Sequence, residues 1–169
     1  MIPSDHFVYF YNEIFKELEK LGPEALDRYY ARVADRQADF TLEAFRRDGL
    51  KGMYDYWERI RIEENCDLEA VLDGRGEFYM LTMRKCPSLT KALESDAGPC
   101  DVYCNHCPGW VLRVITRAGY YNVYNVMGRT DPRCVSFITP KRSLAEAKKR
   151  EWIAEYGEGL VYDNFNELP

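Results

Sequence analysis

The chain has 169 residues and a net charge of −5, with 46% hydrophobic and 30% charged residues. This length can form a hydrophobic core without disulfides or metal, and no apolar run reaches the roughly 18 residues of a membrane span. The acidic balance argues against a nucleic-acid groove, which needs a basic patch. Because no basic and apolar leader opens the chain, we expect a cytoplasmic protein that binds small molecules, with a homodimer left open.

The first third of the chain has the periodicity of helices. Apolar residues recur every three or four positions over residues 7–18, which predicts a first amphipathic helix. A second helical region covers residues 23–47, as one helix or as two that meet near Asp39. Gly49 marks a break, and a third helix is expected over residues 53–64.

From residue 66 the pattern changes to short strands. Alternating residues on either side of the turn at residues 73–76 predict a β-hairpin. Two further strands are expected at residues 121–127 and 134–139, and an apolar helical stripe over residues 110–118 precedes them.

A last helix is expected from Ser143. The sequence Ser143-x-x-Glu146 has the form of a capping box, in which each side chain bonds the free backbone amide of the other residue. The order of elements predicts an α+β fold in which N-terminal helices, over residues 1–65, pack on a ββαββ(α) antiparallel-sheet portion over residues 66–169. Since no linker separates the portions, we expect one domain over residues 1–169.

The cysteines are the most informative feature, because four of the six lie between residues 86 and 107. Intracellular chains usually keep thiols reduced, so metal binding and catalysis compete with core packing as explanations. A helix that begins near Cys100 would place Cys100, Cys104 and Cys107 on one face, whereas one that begins at Pro108 would make Cys107 the N-cap. In either arrangement, the helix N-terminus would lower the thiol pKa.

Two more cysteines could reach the same place. Alternation along the strand that ends at Cys86 puts Arg84 on the same face, where its charge would favour thiolate. Cys134 opens the last predicted strand, whereas Cys66 is interpreted as core packing. A structural zinc site needs four convergent nitrogen or sulfur ligands, and a catalytic one needs three and water. The candidate ligands of zinc, iron or another transition metal are Cys86, Cys104, His106, Cys107 and Cys134.

The chain resembles the L-2-amino-thiazoline-4-carboxylic acid hydrolase family in the order of four features. These are Lys85-Cys86-Pro87, Cys100 about fourteen residues on, an apolar helix, and Asp131-Pro132-Arg133-Cys134-x-x-Phe137. The chain is distantly similar also to vinyl-reductase-type ligand-binding domains. The resemblance covers about residues 66–140. It implies a small α+β domain with a cysteine-lined pocket, in which Cys86, Cys100 and Cys134 are the matching positions.

Three functions are compatible with this pattern. The first is a hydrolase-like enzyme, in which a thiolate or a metal-bound water attacks an amidine-like carbon of a small carboxylated compound that contains nitrogen and sulfur. The second is a non-catalytic sensor or carrier that binds a metal or small ligand, and the third is an interaction domain with inert cysteines. In the enzyme, Cys86, Cys107 or Cys134 would attack, His106 or Asp101 would move the proton, and Arg84, Arg129, Tyr103 and Trp110 would hold the substrate.

Overall fold

The structure is a computed structural model, and it describes residues 3–168. Its N-terminal helices are α1 (Pro3–Lys20) and α2 (Pro23–Glu63), and α2 bends at Gly49, where φ is +60°. This backbone conformation favours glycine, and a Cβ atom at Gly49 would lie 2.7 Å from the Tyr120 hydroxyl. The predicted break at Gly49 is therefore confirmed, and α2 continues through Asp39 without one.

Five strands form one antiparallel sheet in the order β1-β2-β4-β3-β5. The α+β prediction is confirmed, with the N-terminal helices preceding the sheet. The fifth strand was not predicted, because three residues are too short to show an alternating pattern. The strands are β1 (Asp67–Leu72), β2 (Tyr79–Lys85), β3 (Tyr121–Asn125), β4 (Cys134–Thr139) and β5 (Val161–Asp163).

The predicted capping box is wrong. The last helix begins at Arg142 with Lys141 as its N-cap, so Ser143 already lies inside the helix. Glu146 accepts a hydrogen bond from Arg142 at 2.9 Å instead of reaching back to a backbone amide. The remaining helices are α3 (Pro87–Glu94), α4 (His106–Ala118) and α5 (Arg142–Tyr156), and short 3-10 turns occupy Tyr103–Asn105, Glu158–Leu160 and Phe165–Glu167.

Helices cover both faces of the sheet. Alternate residues such as Leu81 and Ile138 point towards α2 and α4, while Val135 and Phe137 pack against α5. The helix α1 packs on α2 and α3 through a separate aromatic cluster around Phe15. Within residues 3–168, none of the helices has the length and apolar character needed to cross a membrane.

Candidate ligand site

Four thiols lie around one small pocket where the ends of several elements meet. Cys86 follows β2 and is the N-cap of α3, and Cys134 is the first residue of β4. These two are neighbours because β2 pairs with β4 and the Cys86 amide donates to the Pro132 carbonyl at 2.6 Å. Cys104, in a 3-10 turn, and Cys107, in the first turn of α4, complete the wall of a pocket of about 30 Å³.

The Tyr124 hydroxyl connects two of these thiols. It lies 3.2 Å from the Cys134 sulfur, and its proximity to the Cys107 thiol partly offsets the rise in the pKa of that group. Tyr124 itself is buried on β3, and burial raises the pKa of its hydroxyl well above the ordinary value. The group therefore remains a neutral hydrogen-bond partner between the thiols.

Burial holds the thiols in their protonated form. Desolvation is the main cause that raises the pKa of Cys104 to about 11 and that of Cys134 to about 12. It also raises the pKa of Cys107 well above its ordinary value, and the neighbouring thiols add to the effect by charge repulsion. Burial thus opposes the thiolate form that the sequence predicts, and thiolate activation stays a prediction.

The position of α4 explains part of the difference between the lowered thiol pKa values that the sequence predicts and the raised values in the structure. The helix begins at His106 with Asn105 as its N-cap, so neither of the two predicted starts is correct. Cys107 lies in the first turn but packs inside the protein instead of occupying the N-cap. Cys86 does occupy an N-cap and accepts the Leu89 amide at 3.4 Å, yet burial still raises the pKa of its thiol.

His106 is a packed core residue. Its imidazole stacks on Phe15 with the ring centres 5.3 Å apart and tilts against Trp110 at 4.7 Å. The Nδ1 atom is hydrogen-bonded to the Tyr103 carbonyl, and burial lowers the pKa to about 4. The ring is therefore neutral near pH 7. It lines the small pocket beside the thiols, and its role in moving a proton stays a prediction.

Three other predicted residues lie outside the pocket. Arg84 forms an ion pair with Glu69, on the α5 side of the sheet and away from the thiol pocket. Arg129 donates to the Tyr162 hydroxyl at 2.8 Å and to the Gly159 carbonyl at 3.1 Å, which ties two loops together. Asp101 is exposed in a turn and does not line the pocket.

The thiols do not form a preformed metal site. Across the part of the chain that the structure describes, no group of three or more His, Cys, Asp or Glu side chains is arranged to hold a metal ion. His106 has its Nδ1 atom bonded to a carbonyl, and Cys100 is packed with Phe15 beneath α1. The predicted ligand set therefore does not fit zinc or iron in this arrangement, and Cys100 does not share the pocket of Cys86 and Cys134.

A larger cavity of about 230 Å³ lies on the other side of the thiols. Helices α2 and α4 and one face of the sheet enclose it, and Cys86, Cys107, Tyr124 and Cys134 belong to the walls of both spaces. The remaining lining is mostly apolar: Trp57, Ile60, Cys66, Leu68, Leu81, Met83, Trp110, Val111 and Ile138.

Two polar atoms in this wall lack partners. Among the residues that the structure describes, the Gln37 Oε1 atom and the Tyr79 hydroxyl are buried without a hydrogen bond, and both side chains line the cavity. An unsatisfied buried polar atom costs about 1–3 kcal/mol, so such atoms mark positions where a ligand or a water can bind. In the sequence, Gln37 could be recognised only by its helical spacing from Tyr30 and Thr41, which are buried on the same face of α2.

A chain of hydroxyl groups closes the site towards α1. Ser88 lines the cavity, and its hydroxyl lies 2.7 Å from that of Tyr11 and 2.6 Å from that of Tyr103. Of the two aromatic residues among the predicted substrate contacts, Tyr103 lines the small pocket and Trp110 lines the large cavity. The hydroxyl chain thus holds α1, α3 and the 3-10 turn together beside both spaces.

The chain matches no protein-family model, no curated protein and no solved structure. The resemblance to the hydrolase family and to vinyl-reductase-type domains therefore stays a prediction.

Proposed function

We propose that the protein is a non-catalytic sensor or carrier that binds a small, mostly apolar molecule in the 230 Å³ cavity. The observation that carries the proposal is this cavity, with its apolar walls and its few buried polar atoms, which is the usual character of a small-molecule site. An apolar cavity of about 150 Å³ is enough to bind benzene. The cavity between α2, α4 and the sheet therefore has room for a molecule somewhat larger than a single ring.

The ionisation of the site favours binding over hydrolysis. A nucleophilic thiol needs a lowered pKa or an adjacent base, whereas burial raises the pKa of Cys134 to about 12 and lowers that of His106 to about 4. Arg84 and Arg129 are paired elsewhere and do not line the cavity. Hydrolase activity stays a prediction, while the walls, the volume and the neutral thiols support a binding role.

Naphthalene, a neutral two-ring hydrocarbon, is a suitable probe for calorimetric titration. The variant Val111→Phe adds volume on α4 inside the cavity wall, so we expect it to weaken binding at least about ten-fold by overpacking the site. Leu112→Phe is the matched control, because Leu112 is the next residue on the same helix and does not line the cavity. Its affinity should equal that of the wild type.

Two results would contradict the proposal. One is the absence of measurable heat with the wild-type protein at any probe concentration that remains dissolved. The other is equal affinity in the wild type and in Val111→Phe, since binding would then take place outside the cavity.

A further inference from the structure

The cavity wall offers no cationic partner for an anionic ligand. Of the residues that line it, none is Lys, Arg or His, and the only carboxylate is the exposed Glu64 just beyond the end of α2. A carboxylate in this space would lose its hydration without gaining a counter-ion, which is strongly unfavourable. The geometry therefore selects against the carboxylated compound that the sequence predicts and favours an uncharged molecule.

Aromatic and sulfur atoms dominate the wall. Trp57 comes from the second arm of α2 and stacks on Phe45 at 5.5 Å, while Trp110 comes from α4 and contacts His106. The two indole rings thus have fixed neighbours outside the cavity and both line it. Aromatic rings pack well against other rings and against sulfur, which Met83 and the thiols supply. A flat aromatic ligand fits this lining better than a branched aliphatic one.

One buried acceptor adds a directional requirement. Gln37 is held on the first arm of α2, and its Oε1 atom has no hydrogen-bond partner within the described chain. An amide oxygen accepts a hydrogen bond and cannot donate one, so a ligand that satisfies it must carry an N–H or O–H group. An N–H in the plane of an aromatic ring can meet this acceptor while the ring contacts the indoles.

We infer that the cavity binds an uncharged, two-ring aromatic heterocycle whose ring N–H donates to the Gln37 side chain. The inference rests on the proposed binding function and names its ligand class. The cavity volume of about 230 Å³ limits the size of the ligand, and the lack of a cationic lining residue requires that the ligand be uncharged. Gln37 determines where the N–H group of the ligand lies.

Indole and indene provide the test, because they have nearly the same shape and only indole carries an N–H group. Calorimetry on the wild-type chain should give an affinity about two- to ten-fold higher for indole, the value of one neutral hydrogen bond. In Gln37→Leu this preference should vanish, while the affinity for indene is kept or rises. Indene binding at least as tight as in the wild type is the control that the variant remains folded.

Indole-3-carboxylate tests the charge requirement on the same protein. We expect it to bind at least about ten-fold more weakly than indole, since its carboxylate finds no counter-ion. Comparable affinity for the two would overturn the assignment of an uncharged ligand. Equal affinities for indole and indene in the wild type, or a preference that survives in Gln37→Leu, would overturn the N–H assignment and leave the binding function standing. Failure of both neutral probes to bind would overturn the binding function as well.

Discussion

Burial shifts the pKa values of the side chains around the site so that their neutral forms are favoured. His106 is 5% exposed, and its pKa of about 4 lies well below the ordinary 6.5 because the charged ring would lose hydration. The thiols show the opposite direction, since their charged form is the anion. Both effects favour neutral groups, and both make the stability of the fold depend on pH.

The free energy of unfolding should decrease in acid through His106. The unfolded chain takes up a proton below about pH 6.5, whereas the folded chain does so only near pH 4, so stability is complete above 6.5 and is lost as the pH falls. At about 1.4 kcal/mol per pH unit, the loss by pH 4 is about 3 kcal/mol. Urea unfolding at several pH values measures it.

Two histidine variants isolate this effect. In His106→Phe the loss of stability by pH 4 should be about 3 kcal/mol smaller than in the wild type, because the ring remains but cannot be protonated. The exposed His6 is the matched control, and His6→Gln should keep the wild-type pH profile. A wild-type profile in His106→Phe would show that other groups cause the loss.

The thiols should reduce stability in alkali. Because the folded pKa of Cys104 is about 11 against an ordinary value of 9.0, its contribution is complete below pH 9 and is lost as the pH rises towards 11. The loss between pH 9 and 10 should be about 1 kcal/mol for this thiol. We expect Cys104→Ala to show a correspondingly shallower decline in urea unfolding over that interval, and an unchanged slope would contradict the assignment.

At the scale of elements, the contact between α2 and α4 determines the position of the site. Gly109 on α4 lies against the Tyr30 ring of α2, and a Cβ atom there would be 2.5 Å from that ring. The two helix backbones therefore approach closely beside the cavity. Glycine is required at this position by the space between the helices, although its backbone is helical.

Gly109→Ala should destabilise the protein by about 1–3 kcal/mol through overpacking, even though alanine is the better helix former by about 1 kcal/mol. Thermal unfolding measures the change. Gly159→Ala is the comparison, because no atom lies within 4 Å of its added Cβ. Equal melting temperatures for the two variants would show that α4 can move away from Tyr30 without cost.

The sequence predicts helices and strands correctly where the periodic pattern of apolar residues continues over many positions. The helices α1, α2 and α4 and the four longer strands follow from the spacing of apolar residues, and the bend of α2 follows from Gly49. The start of α4 was not predictable, because a 3-10 turn precedes it and leaves no periodic signal. The false capping box shows that Ser143 can have the right spacing to Glu146 while the helix begins one residue earlier.

At the scale of the whole molecule, the cavity depends on residues that are distant in the sequence. The spacing of the cysteines directs attention to the right region, and the thiols of Cys86 and Cys134 line the same spaces. Gln37 and Trp57 could not be assigned to that site in advance, because their positions depend on how α2 crosses the sheet. Arg84 and Arg129 line neither space, because a strand face or a turn position does not determine which partner a side chain meets.

Ligand binding should stabilise the entire fold, since all the layers around the cavity belong to one packed structure. At a naphthalene concentration of about 100 times its dissociation constant, the gain is about 2.7 kcal/mol. For a chain of this size, this should raise the melting temperature by about 5–10 °C. Leu112→Phe should show the same rise. In Val111→Phe, ten-fold weaker binding leaves a gain of about 1.4 kcal/mol at most, so its rise should be about half or less, and equal rises in both would place the binding elsewhere.

The bend of α2 determines the shape of the cavity in this architecture. Gln37 lies before Gly49 and Trp57 after it, so each arm of this one helix supplies a residue to the cavity wall. The angle between the two arms therefore determines the distance between the Gln37 side chain and the Trp57 indole. A substitution at Gly49, or at Tyr120 whose hydroxyl lies against it, would change the size of the accepted molecule without altering any side chain that touches it.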